Sequence, residues 1–200
     1  MEQCARVTFD AMGDLCLGFF KELWDSEQLT TRLPLGGHVL EVGCAEADWL
    51  GAMRVARPDL HLTGVDTRET EPRPAADLFI KGDILQQSFA AQSCDAIVAV
   101  SVIEWIGLGF YRGNPTEERA DYRLLDLAHG WLKPGGWFYL DMPWRPAGDT
   151  ADRPRPFRPY TNAMLADLLD RTAWKETTRR HFSGNGHPDG PYVAVILEPQ

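Results

Sequence analysis

The sequence predicts an α/β domain with one seven-stranded, mostly parallel sheet, one reversed strand and helices on both faces. Short apolar runs alternate with stretches of helical periodicity, which is typical of strand–helix–strand units whose strands are parallel. The final two runs are joined by a segment rich in glycine and proline, without a helical pattern. Strands joined without a crossover helix should be antiparallel.

The predicted strands are short apolar runs, mostly bounded by turn residues. They are His38–Val42, Leu60–Val65, Leu78–Lys81, Ala96–Val100, Trp137–Asp141, Trp174–Phe182 and Tyr192–Glu198. The helices predicted between them are Asp48–Ala56, Asp121–Leu132 and Asn162–Arg171. Pro134-Gly135-Gly136 is predicted to form the turn that leads into the fifth strand.

An amphipathic helix is predicted before this core, because apolar residues recur at three- and four-residue steps from Phe9 to Leu23. The proline and glycines of Leu33–Gly37 should end it. We therefore expect a single domain over residues 1–200, with a helical cap (1–33), a cofactor-binding core (38–142), a loop (143–160) and a final helix with two antiparallel strands (161–200).

The composition favours a small-molecule ligand. The 200 residues are 44% hydrophobic and carry a net charge of −9, with lysine and arginine scattered, so a nucleic-acid partner is not expected. The four cysteines show no CxxC pair, which favours reduced thiols and a cytoplasmic protein. We expect no signal peptide, because the first residues are acidic, and no membrane association, because no apolar run is long enough to span a membrane. A monomer and a homodimer both stay open.

The stretch HVLEVGCAEADWL combines a strand, a carboxylate at Glu41 and a turn at Gly43 that opens into a helix. This order is typical of sites that bind a nucleotide-like ligand at the carboxyl end of a strand. Asp66 ends the second strand, 25 residues after Glu41, where a carboxylate can accept both hydrogen bonds from a ribose diol. A helix N-cap is the alternative interpretation of Asp66.

Two further groups come after the third and fourth strands. Asp83 can accept a hydrogen bond from an exocyclic amine while Ile84 packs on a ring face, although an Asp after Gly can also be a turn residue. The fourth strand runs into Ser101, Val102 and Glu104 at the same edge of the sheet.

Together these residues resemble a known family. The motifs EVGCAEA, GVD, KGDI, DAIVAVSVIE and LKPGGWF are similar in type and order to those of the class I S-adenosylmethionine-dependent methyltransferases, which have a Rossmann-like fold. The resemblance covers about residues 38–142, and the reversed terminal strand also fits that fold. VSVIEWIGLGFYRGNP resembles, more weakly, a stretch in a little-characterised group of methyltransferase-like proteins.

The resemblance implies S-adenosylmethionine as cofactor, S-adenosylhomocysteine as product, and a role for each matching position. The amino-acid part would be lined by Glu41, Gly43, Cys44 and Ala45; the ribose held by Asp66 with Thr67; the adenine by Asp83 and Ile84; and the methionine side closed by Ser101 and Val102. Carboxylates also suit a cationic sulfonium better than they suit a dinucleotide.

The first turn departs from the family pattern. Where relatives have Gly-x-Gly-x-Gly, this chain has Gly43, Ala45 and Ala47, and Trp105 stands where many relatives have histidine. An alternative function therefore stays open, namely a non-catalytic binding or regulatory protein with a weakened cofactor site. An NAD-type dehydrogenase is disfavoured because Asp48 occupies the place of the last glycine of its fingerprint.

Methyl transfer is an in-line displacement that proximity and alignment largely catalyse. The acceptor, through N, O or C, is an unspecified small molecule. Candidate general bases are Glu104 and Asp141, although Glu104 could instead cap the next segment and Asp141 could pair with an arginine of the proline-rich loop. The five histidines are dispersed without metal-ligand spacing, so no metal is expected.

The acceptor region should include the proline-rich segment Pro143–Pro159, which is interpreted either as a substrate lid or as a solvated connector. Aromatic residues flank the expected pocket mouth in sequence and suit stacking on a flat substrate, or ordinary packing under a loop. They are Trp105, Phe110, Tyr111, Trp144, Phe157 and Tyr160.

Overall fold

The structure, a computed structural model, describes residues 22, 23, 25, 27–44, 49–68, 75–111, 116–145, 157–182 and 191–200. Its strands are β1 (His38–Val42), β2 (His61–Asp66), β3 (Leu78–Lys81), β4 (Cys94–Ala99), β5 (Leu132–Pro143), β6 (Trp174–Phe182) and β7 (Tyr192–Pro199). Its α-helices are α1 (Leu29–Arg32), α2 (Trp49–Ala56), α3 (Ala120–Trp131) and α4 (Asn162–Arg171). None of these helices is long and apolar enough to cross a membrane.

The seven strands form one sheet in the order β3-β2-β1-β4-β5-β7-β6. Strands β1 to β5 run parallel, and β7 is antiparallel to both of its neighbours. The predicted fold is therefore confirmed, and the reversed strand is β7, one position in from the edge strand β6. This order brings the carboxyl ends of β1 to β5 to one edge of the sheet.

Each face of the sheet is covered by helices because the strand residues alternate between two apolar clusters. On one face, Leu40 and Phe138 pack with apolar residues of α3 and α4 such as Leu124 and Leu165. On the other face, strand residues pack with α2 and the buried residues near the start of the described chain, namely Val39, Leu62, Val98, Tyr139, Leu50, Leu23 and Leu29. The sheet thus forms the middle layer of three.

The start of β5 and one short helix differ from expectation, while several other element boundaries differ by one or two residues. Strand β5 begins at Leu132, because Leu132 pairs with Cys94 before the register shifts to Ala96 with Trp137. The predicted turn at Pro134–Gly136 is thus an irregularity inside β5, with Gly135 at φ +79°. A short 3₁₀ helix, Ile84–Gln86, comes after β3 and is absent from the sequence prediction.

Most of the predicted N-terminal helix from Phe9 to Leu23 lies outside the described residues. Its last apolar position, Leu23, is buried, and α1 ends at Arg32, directly before the predicted break.

Candidate functional site

Three carboxylates project from the same face of the sheet near its carboxyl edge. Glu41 of β1 lies beside Gly64 of β2 and Val98 of β4, and Val98 lies beside Tyr139 of β5. Asp66 and Asp141 come two residues after Gly64 and Tyr139, so strand alternation places all three acids on the face covered by α2. Glu41, Asp66 and Asp141 are all at least 95% buried. The order of the strands therefore concentrates three acidic side chains at this edge.

The turn after β1 is tightly enclosed. Gly43 has φ +75°, and a Cβ built on it would lie 2.3 Å from Cγ2 of Val102, so only glycine fits. The Gly43 and Cys44 amides both donate to the carbonyl of Val65, at 2.8 and 3.3 Å. Because these amides bind the neighbouring strand, the turn is held by β2 and closed by Val102. Ala45, Ala47 and Asp48, on which the departure from the family pattern depends, lie outside the described residues.

Asp66 is held by Arg68, a residue that the sequence interpretation missed. The Arg68 amide donates to Oδ1 at 2.7 Å, and its guanidinium donates to Oδ1 at 3.2 Å and to Oδ2 at 3.3 Å. Both carboxylate oxygens are therefore engaged side-on. Spacing i, i+2 after a strand-ending Asp is an available signal, since such an Asp commonly accepts from the backbone two residues on.

Asp83 occupies a defined local structure. Its Oδ1 accepts from the Leu85 amide at 3.0 Å and so caps the 3₁₀ helix, whose first residue, Ile84, is buried. The cap fixes the carboxylate, which is partly exposed, at the carboxyl end of β3.

Ser101 links the two candidate general bases. Its amide donates to Oδ1 of Asp141 at 2.6 Å, and its hydroxyl donates to Oε1 of Glu104 at 2.6 Å. The other oxygen of Asp141 accepts from the Tyr139 hydroxyl at 2.8 Å. Burial raises the pKa of Asp141 to about 7, although these two hydrogen bonds lower it. Both carboxylates are 0% exposed, and each accepts one hydrogen bond from the partly buried Ser101.

The suggested pairing of Asp141 with an arginine of the proline-rich segment is wrong for Arg158, the residue of that segment whose ion pair is resolved. Arg158 lies 3.2 Å from Asp121 of α3, and Tyr160 donates to the same Asp121 oxygen at 2.8 Å. The Arg158 amide also donates to the carbonyl of Glu104 at 2.9 Å. Asp141 lies on the face of the sheet covered by α2, whereas α3, which carries Asp121, covers the other face. Arg158 thus fastens the segment after β4 to α3.

The predicted aromatic residues separate into two groups. Trp105, Phe110, Tyr111 and Phe157 form an aromatic cluster, with Trp105 centred 4.6 Å from Phe110 and 5.6 Å from Phe157. The Arg68 guanidinium lies 5.8 Å from the Tyr111 ring centre. The other two, Trp144 and Tyr160, belong to the apolar core. The segment after β4 therefore reaches across β1 to the end of β2.

The remaining reactive groups do not form a second site within the described residues. Burial, with Glu41 and Asp66 nearby, raises the pKa of the Cys44 thiol, so it stays protonated. His181 packs on Trp144, and His187 lies outside the described residues. Across the described ranges, no three His, Cys, Asp or Glu side chains are grouped to hold a metal ion.

Comparison with known protein families identifies this architecture. A family model described as a methyltransferase domain matches residues 19–181, which is most of the chain. The chain belongs to this family. No curated protein sequence matches this methyltransferase domain significantly.

Solved structures share the fold at low sequence identity. A complex between the Haloferax volcanii Trm112 methyltransferase activator and the putative methyltransferase gives a TM-score of 0.64 at 12% identity, covering 94% of this chain and 98% of that chain. The [4+2]-cyclase SpnF gives 0.61 at 18%, covering 86% and 78%. Geranyl diphosphate C-methyltransferase from Streptomyces coelicolor A3(2), in complex with Mg²⁺, geranyl diphosphate and S-adenosyl-L-homocysteine, gives 0.63 at 11%, covering 90% and 79%.

Proposed function

We propose that this methyltransferase domain transfers a methyl group from S-adenosylmethionine to a small-molecule acceptor by in-line displacement. The observation that carries the proposal is the pair formed by the Gly43 turn and the buried Asp66 carboxylate, on neighbouring parallel strands. Family membership and the strand order support it.

The residues at the carboxyl edge fit the chemistry of this cofactor. Asp66 already accepts two donors side-on from Arg68, the arrangement that a ribose diol also requires. Asp83 offers an acceptor next to the buried Ile84, which suits an adenine amine and ring. Glu41, with 1% exposure, lies behind the turn and favours a cationic group above it.

In the proposed assignment, the amino-acid end of the cofactor is held by Glu41, Gly43, Cys44 and Ala45, and its methionine side is closed by Ser101 and Val102. The ribose is held by Asp66 and Thr67, and the adenine is held by Asp83 and Ile84. S-adenosylmethionine supplies an electrophilic methyl group on a sulfonium. The protein contributes alignment, because its site residues lie on a rigid sheet and on the short turns at its edge. For an oxygen acceptor, we propose that the Ser101 hydroxyl takes the acceptor's proton as it passes its own to Glu104.

The acceptor side is proposed to be the aromatic cluster. Phe110 is 46% exposed although the Trp105 and Tyr111 rings pack against it, so the cluster offers an apolar surface beside the cofactor edge. A small molecule with a flat apolar part fits such a surface. We further propose that the protein is cytoplasmic, uses no metal and has no nucleic-acid partner.

The second candidate function is a non-methylating binding or regulatory protein, and one observation favours it. Arg68 engages the same Asp66 oxygens that the ribose needs, which weakens binding of any nucleoside. The [4+2]-cyclase SpnF, which shares this fold, carries a name that describes a different reaction.

Calorimetric titration separates the two functions. Under the first, S-adenosylmethionine and S-adenosylhomocysteine both bind with micromolar dissociation constants, and a screen of aromatic amines and phenols yields a methylated product by mass spectrometry. Under the second, binding occurs without transfer to any acceptor. If neither compound binds at millimolar concentration, both methyl transfer and cofactor binding without transfer are contradicted.

A further inference from the structure

We infer that Asp141 is a positioning residue for the cofactor site, acting through the Ser101 backbone to hold Val102 over the Gly43 turn. The inference rests on the proposed function for the identity of the ligand at that turn. It gives Asp141 a role that differs from that of a general base, because the carboxylate does not touch the reacting atoms.

The contacts that lead from Asp141 to the Gly43 turn begin with a hydrogen bond between β5 and the segment after β4. Asp141 lies on β5, and its Oδ1 accepts the Ser101 amide at 2.6 Å, directly beyond the end of β4. Tyr139, on β5, donates to the second oxygen at 2.8 Å. Across the sheet, the backbone partner of Asp141 on β7 is Ala194, which carries no charge. The carboxylate is thus committed to two donors.

The backbone of Ser101 has an uncommon conformation. Its φ is +52°, in the left-handed region that a residue with a Cβ adopts only at a cost in free energy. A short hydrogen bond from its amide to a buried carboxylate is strong enough to hold this conformation. The Ser101 hydroxyl bond to Glu104 fixes the same residue from its other side.

The next residue in the chain, Val102, carries the effect to the turn after β1. Val102 packs directly on Gly43, whose missing Cβ leaves the space that Val102 Cγ2 fills. If Ser101 returned to a negative φ, the direction of the chain would change and Val102 would leave the turn. Asp141 therefore determines the position of Val102, which closes the methionine side of the site, without touching the cofactor.

Three variants test this series of contacts by titration with S-adenosylhomocysteine. Asp141→Leu removes the acceptor and should weaken binding about tenfold, or about 1.4 kcal/mol. Asp141→Asn is the matched control, because its Oδ1 still accepts the Ser101 amide, and should bind within about twofold of wild type. Ser101→Gly adopts positive φ freely. Adding it to Asp141→Leu should therefore restore binding to within about threefold.

A second readout does not depend on the ligand. The Ser101 amide should show slow hydrogen exchange in wild type and in Asp141→Asn, and fast exchange in Asp141→Leu. If Asp141→Leu does not fold, Ser101→Val and Ser101→Gly are compared instead. Because valine is strained at positive φ, Ser101→Val should weaken binding far more than Ser101→Gly.

The possible results separate the role of Asp141 from the identity of the ligand. Equal binding by wild type and Asp141→Leu, equal losses in the leucine and asparagine variants, or no rescue by Ser101→Gly would overturn the inference. Wild-type protein that binds no S-adenosylhomocysteine would overturn the proposed function and the cofactor role of Asp141 together. Exchange at Ser101 would then still decide whether Asp141 holds this turn.

Discussion

Arg68 and Asp66 form a side-on ion pair at the end of β2, with Nε 3.2 Å from Oδ1 and Nη2 3.3 Å from Oδ2. The same guanidinium lies over Tyr111 of the aromatic cluster. Arg68 therefore connects the carboxylate proposed for the ribose with the segment proposed for the acceptor.

This pair predicts that Arg68 competes with the ribose. Arg68→Gln should strengthen binding of S-adenosylhomocysteine by about three- to tenfold, because the Asp66 oxygens lose a charged donor. Calorimetry checks this, with Arg171→Gln, an arginine paired with Asp167 far along the chain on α4, as the control. Weaker binding by Arg68→Gln would instead make Arg68 part of the ligand site.

Gly43→Ala should abolish cofactor binding and destabilise the fold by about 2 kcal/mol or more, because the new Cβ lies 2.3 Å from Val102 and φ is +75°. Urea unfolding measures the loss. Gly51→Ala is the matched control, since Gly51 lies in α2 with no atom within 4 Å of its Cβ position, and it should be neutral or slightly stabilising. Equal effects of both substitutions would exclude the close packing of Val102 as the cause.

Asp141 predicts how stability depends on pH. Burial raises its pKa in the folded protein to about 7, above the ordinary 3.8, so its contribution is fully present below pH 3.8 and is lost as pH rises through 7. The loss is on the order of 4 kcal/mol. Relative to wild type, Asp141→Asn should therefore gain stability between pH 5 and pH 8 in urea unfolding. A difference that does not change with pH would contradict the raised pKa.

Tyr160→Phe should destabilise the protein by about 1–2 kcal/mol, because its hydroxyl donates to the buried Asp121 at 2.8 Å. Tyr122→Phe loses a similar bond, to Asp167, whose side chain is half-exposed, and should cost under about 0.5 kcal/mol. Thermal unfolding compares the two, and equal costs would show that burial of Asp121 does not matter.

The sequence was sufficient for the sheet, because apolar runs such as those of β1 (His38–Val42) and β7 (Tyr192–Pro199) show the local patterning that β-structure imposes. Only part of the candidate site could be predicted from the sequence. Asp66 and Asp83 lie at or just after the ends of strands, so their edge position was predictable. The Ser101–Asp141 bond joins residues 40 apart, and the pairing of Arg158 with Asp121 depends on the face of the sheet that each acid occupies. Such contacts are set by tertiary packing.

Calorimetric titration of wild type and Asp66→Ala with S-adenosylhomocysteine tests the proposed cofactor site, with Asp126→Asn on the exposed side of α3 as the control. We expect micromolar binding by wild type and by the control, and at least a hundredfold weaker binding by Asp66→Ala, about 2.7 kcal/mol. Equal affinity of wild type and Asp66→Ala, or no binding by wild type at millimolar ligand, would contradict the proposed site.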